Sequence, residues 1–129
     1  MSAERVPRVR RAPIPSDALV VVRGDPGDEA ITRDQAEAFR RRFDRWGRWG
    51  VSAFYARSEL EIDDLAFDRL HRFGSLRIYR IVDLEHAGFE VVPTFRTPHV
   101  TLAWDDDLLA GLARLDAARH ERRANPYHE

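Results

Sequence analysis

The chain has 129 residues, 43% of them hydrophobic and 33% charged, with a net charge of −1. That is room for one folded unit with its own core, and no apolar run approaches the roughly 18 residues that a membrane-crossing helix needs. There is no cysteine and no lysine, so all 21 basic side chains are arginine; disulfides, thiol nucleophiles, thiolate zinc sites, Schiff-base chemistry and a phosphate-loop lysine are excluded.

Residues 1 to 17 are rich in Arg and Pro and lack periodicity, which predicts an extended arm. The basic residues at the start are not followed by an apolar segment, so the expectation is a cytoplasmic protein without a signal peptide. Ala18 to Val22 is a continuous apolar run, the pattern of a central strand covered on both faces. It ends at Arg23, in a turn of Gly24, Asp25, Pro26, Gly27 and Asp28.

Thr32 and Gln35 have capping-box spacing ahead of Ala36, Phe39, Phe43 and Trp46, which predicts a helix over 33 to 46 stopped by Gly47 and Gly50. Residues 51 to 56 read as a strand, and Ser58 with Glu61 opens a second helix to about Phe73. Leu76 to Val82 is a third strand, 83 to 88 a helical turn, and 89 to 95 and 99 to 104 two further strands joined through Thr97 and Pro98. Asp105 to Asp107 starts a last helix, whose basic end is Arg119, His120, Arg122 and Arg123. The expected fold is α+β: one domain over 18 to 123, a mixed, mainly antiparallel sheet of about five strands with three main helices, and a tail over 124 to 129.

Pro93 to Trp104 carries the clearest chemical pattern. Strand alternation separates Val100, Leu102 and Trp104 from His99 and Thr101. A turn at Thr97 and Pro98 would pair Arg96 with His99 and Thr94 with Thr101, placing Glu90, Thr94, Arg96, His99 and Thr101 on one face and Phe95 in the core with Trp104. Proline at that position of a two-residue turn is awkward unless its peptide bond is cis, so a longer loop of the same parity is also allowed. Histidine transfers protons, Arg96 binds phosphate or carboxylate in two-pronged fashion, and a threonine orients either; together they suit metal-independent RNA cleavage, with Glu90 as base and His99 as acid. No metal site is expected, because His71, His86, His99, His120 and His128 include no i, i+4 pair.

Three resemblances attach to these residues. His99-Val100-Thr101 is similar to the His-x-Thr signature of two-histidine phosphoesterases, although no other histidine here is followed two residues on by Thr or Ser. In type, a Cys-free α+β chain with Glu90, Arg96, His99 and a terminal Tyr127-His128 resembles the compact ribonuclease toxins of bacterial toxin–antitoxin pairs. That resemblance implies an RNA substrate, a cognate antitoxin as partner, no cofactor, and Tyr127 and His128 folded back over the sheet. Arg23, Ser52 and Glu90, in that order, resemble the Arg, Ser and Glu of ADP-ribosyltransferase-like domains, which implies NAD held by Arg23 and Ser52. A non-enzymatic interaction module, using the Arg-rich arm or the Arg40 to Arg48 cluster against an acidic partner, is the third functional class.

Overall fold

A computed structural model describes residues 5 to 25 and 29 to 128; the predicted turn residues Pro26, Gly27 and Asp28 lie outside them, as do residues 1 to 4 and Glu129. The elements are β1 (Leu19–Arg23), α1 (Glu29–Arg42), β2 (Trp49–Ala56), α2 (Glu59–Asp68), β3 (Ser75–Arg80), α3 (Ile81–His86), β4 (Glu90–Val92), β5 (His99–Trp104), α4 (Leu108–Ala117) and β6 (His120–Ala124). The strands form one antiparallel sheet in the order β4-β5-β2-β1-β3-β6. The α+β expectation holds.

β1 is central, and Val20, Val21 and Val22 are each at most 1% exposed because both faces are covered. On one face, Val20, Val51, Ala53, Tyr79, Val100, Leu102 and Trp104 pack with Leu84 of α3 and Leu115 of α4. The Tyr79 hydroxyl donates to the Leu115 carbonyl at 2.7 Å, which ties α4 to the sheet. Burial pushes this phenol up to about 12, so it stays a donor. On the other face, Val21, Leu76 and Ile78 pack with Ile62, Leu65, Ala66 and Leu70 of α2 and its exit. α1 covers β2, with Phe39 against Gly50, so closely that a Cβ at Gly50 would meet the ring at 2.6 Å.

Two predicted caps form. Ser58 accepts from the Glu61 N–H at 3.2 Å while Glu61 accepts from the Arg57 N–H at 2.9 Å, and Asp107 accepts from the Ala110 N–H at 2.9 Å. Thr32 does not cap. Helix α1 starts at Glu29, three residues before Thr32, which is buried with its hydroxyl accepting from Arg23 at 3.3 Å. The helix ends at Arg42, before Phe43 and Trp46, and Gly47 (φ 67°) carries the chain into β2, of which Gly50 is part.

Helix α2 ends at Asp68 rather than Phe73, and β3 ends at Arg80 because Ile81 and Val82 open α3. In sequence, His120 to Arg123 reads as the basic end of the last helix. That helix stops at Ala117, and His120–Ala124 pairs with β3 as an edge strand.

Candidate functional site

The β4–β5 pairing sets Val92 opposite Thr101 and Glu90 opposite Ala103. This is two residues displaced from the expected register and keeps its parity, so Thr94, His99 and Thr101 share a face. The shift lengthens the connection between the strands to residues 93 to 98, with a cis Thr97–Pro98 bond. Phe95 is the correction. It leaves the strand with φ 60°, a left-handed conformation uncommon for a bulky residue. Its ring then lies 5.1 Å from that of His99 and 5.9 Å from that of Phe43, not in the core beside Trp104.

β2 supplies the next layer of the same face. Ser52 lies opposite Thr101, and Phe54 opposite His99. Four side chains then form a hydrogen-bonded chain. Thr101 Oγ1 is 2.6 Å from Thr94 Oγ1, Thr94 Oγ1 is 2.9 Å from His99 Nδ1, and His99 Nε2 is 3.0 Å from Ser52 Oγ. The two threonines are at most 1% exposed, His99 is half-buried and Ser52 is exposed, so the chain runs from the interior to the surface.

Burial lowers the His99 imidazole from its ordinary 6.5 to about 4; hydrogen bonding at Thr94 works the other way, and the cations of Arg10 and Arg69 add to the lowering. The ring is therefore neutral at pH 7. A neutral imidazole has one N–H and one bare nitrogen. In the tautomer that gives Nδ1–H to Thr94, Nε2 accepts a hydrogen bond from the Ser52 hydroxyl, an arrangement that can serve as a hydroxyl–base pair.

Cations and aromatic rings flank Ser52. The Arg69 guanidinium sits 5.6 Å from the centre of the Phe54 ring, which itself is edge-on to His99 at 5.5 Å. Continuing the β1–β2 register two residues past Val21 and Phe54 sets Arg23 opposite Ser52. Arg23 bonds Thr32 and lies 5.4 Å from the Phe73 ring. Beside Arg69 opens a cavity of about 280 Å³, lined by Arg57, Tyr55 and Pro98 and also by three carboxylates, Glu61, Asp64 and Asp68.

The other residues singled out in the sequence lie elsewhere. Arg96 is exposed in the β4–β5 connection, where its carbonyl accepts from the His99 N–H at 2.8 Å. Glu90, at the far end of β4, is held by Arg48 at 2.5 Å, and Arg48 also binds Asp105. Tyr127 donates to Asp63 of α2 at 2.7 Å, and the His128 ring lies near Gly74, so these two residues dock on α2 and the start of β3 rather than over His99. Among the described residues no group of three or more His, Asp or Glu is placed to hold a metal ion, and no helix is long and apolar enough to cross a membrane.

Sequence reasoning passed over Arg10 and Arg69. Each is one arginine among 21, and only the tertiary fold brings it to His99. Ser52 was read in a different constellation from His99, because nothing in the spacing of residues 52 and 99 announces their contact. Comparison with protein-family models, with characterised proteins and with solved structures finds no match.

Proposed function

We propose that this chain is a small toxin-type ribonuclease that works without a metal ion, with the Ser52–His99 pair as its hydroxyl-activating centre. The observation that carries the reading is the 3.0 Å contact between Ser52 Oγ and a neutral His99 Nε2 whose other nitrogen is fixed by Thr94. The ribose 2′-hydroxyl gives its proton through Ser52 to His99 Nε2, and the 2′ oxygen bonds to phosphorus. The same proton returns to the departing 5′ oxygen as the P–O bond breaks, leaving a 2′,3′-cyclic phosphate. Arg69 and Arg23 face the charge that builds on the phosphate, and the Phe54 and Phe73 rings offer surfaces for a base. Glu90 has no part in this scheme, since it is occupied by Arg48. Arg96, exposed at the loop, meets the RNA backbone further along.

Purified protein should cleave RNA in chelator and leave cyclic phosphate ends. His99→Ala should lower the rate by roughly two to four orders of magnitude in a folded protein. Growth arrest on expression, relieved by a cognate antitoxin, is the cellular counterpart. Intact RNA after incubation with the wild-type protein overturns the reading.

A second reading rests on Arg23 and Ser52 facing each other across β1 and β2, the pairing an ADP-ribosyltransferase would use to hold NAD. Labelled NAD added to a cell extract separates the two readings. Protein-dependent incorporation lost in Arg23→Ala, with RNA left intact, favours transfer.

A further inference from the structure

We propose that Arg10, in the amino-terminal segment, is a positioning residue that sets the His99 ring and its Thr94 partner. Its Nη1 donates to the Thr94 carbonyl at 2.7 Å and to the His99 carbonyl at 2.8 Å, with a longer contact of 3.4 Å to Phe95. One guanidinium nitrogen thus joins the two backbone positions whose side chains form the Thr94–His99 hydrogen bond. The segment itself is laid along the same connection: Val9 bridges to Thr94, the Arg10 N–H donates to Pro93 O at 2.7 Å, and the Phe95 N–H donates to Arg8 O at 2.9 Å.

The connection depends on this clamp. β4 ends at Val92, and Phe95 at φ 60° turns the backbone out of the ladder, so residues 93 to 95 meet no partner from β5 in regular pairing. Arg10 supplies donors to the Thr94 and Phe95 carbonyls from a single guanidinium nitrogen, Nη1. It also places a fixed positive charge beside the imidazole. The charges that act on the ring are Arg10 on this side and Arg69, after α2, on the other, and both favour its neutral form. The arm that reads from sequence as extended and Arg- and Pro-rich is therefore part of the frame of the site.

The inference rests on the ribonuclease reading for its catalytic consequence, and its test does not. The His99 ring is followed by NMR titration in the wild-type protein and in Arg10→Ala and Arg10→Lys. The expected result is a wild-type midpoint near 4, moving toward the ordinary 6.5 in Arg10→Ala as the ring is freed and the charge removed, with Arg10→Lys in between. RNA cleavage should fall roughly 10- to 100-fold in Arg10→Ala through kcat, with KM little changed, as a misplaced base requires. A folded Arg10→Ala protein with an unmoved His99 titration overturns the positioning role, whatever its activity. Should that variant not fold, Arg10→Lys decides, and a wild-type midpoint in it is the overturning result. A shifted midpoint in a protein whose wild type leaves RNA intact retains the positioning role and removes the ribonuclease.

Discussion

Alternate residues of the same two strands, β2 and β5, build two unlike environments. On one side Val51, Ala53, Val100, Leu102 and Trp104 are all at most 1% exposed and carry a single polar atom, the Trp104 indole N–H, which donates to the Asp107 carbonyl at 3.3 Å. On the other side Ser52, His99 and Thr101, set among Gly50, Phe54 and Ala103, bring three polar groups and recruit Thr94. An apolar face is satisfied by filled volume in any direction. A polar face must satisfy each donor in turn, so its hydrogen bonds form a chain with an inner and an outer end. The difference is why the proposed chemistry is placed on this side: here the half-buried His99 meets the exposed Ser52 hydroxyl.

The apolar side should break by volume alone. Gly111 of α4 lies so close to Trp104 that an added Cβ would overlap the indole, and the indole is fixed by its packing and cannot yield. Overpacking of this kind costs about 3 kcal/mol, which for a chain of this size lowers Tm by roughly 10 °C. Thermal unfolding of Gly111→Ala checks it. RNA cleavage per folded molecule should be unchanged, because the insult lies on the far side of the sheet from Ser52.

The polar side should break by protonation. The His99 imidazole is lowered in the folded state, to about 4 from 6.5. Between those values the unfolded chain binds the proton and the folded one does not, so stability rises with pH across that window. The contribution is complete above about pH 6.5 and is lost as pH falls through 4, for a total of roughly 2–3 kcal/mol after allowing for the ring's partial exposure. Urea unfolding at pH 7, 5 and 3.5 measures it, with His99→Gln as reference, in which this component of the pH dependence should vanish. The acid limb of the cleavage rate should likewise fall near pH 4 rather than near 6.5. A limb at 6.5 would mean that the ring is solvated and the two faces less distinct than their contacts imply.

What the sequence made legible divides along the same line. Alternation in 99 to 104 identified both faces, and parity survived a two-residue error in register because parity depends on the pattern alone. The buried depth of the polar face was not legible. In sequence Thr94 and Thr101 read only as members of a polar face, and what buries them is tertiary: α1 brings Phe39 onto the same face, against Gly50 and Thr101, and Phe95 folds onto His99. β6 was hidden for a different reason. His-Glu-Arg-Arg-Ala has no apolar alternation, and Arg122 opposite Arg77 is accommodated only because Arg122 donates to the Gly24 carbonyl while Arg77 binds Asp116 at 2.9 Å. The Arg10 contact spans 89 positions, beyond the reach of any local pattern.

The smallest expected effect concerns the part of the second face that α2 covers, where polar groups serve structure and no chain leads outward to a reactive hydroxyl. Asn125 is buried there, its amide donating to the Ala66 carbonyl at 3.2 Å and the Leu70 carbonyl at 2.9 Å while its oxygen accepts from the Tyr127 N–H at 2.9 Å. It thereby supplies donors to the exit of α2 that the helix leaves unmatched. Asn125→Ala removes those donors from buried carbonyls and should cost about 1–2 kcal/mol. Tyr127→Phe, which loses only the exposed bond to Asp63, should cost less than that. Deleting 125 to 129 should therefore lower Tm while cleavage by the folded fraction persists, because Asn125, Tyr127 and His128 are anchored on α2 and the start of β3. Loss of activity at an unchanged Tm would place Tyr127 or His128 in the reaction after all, and would erase the separation between a structural and a chemical half of this face.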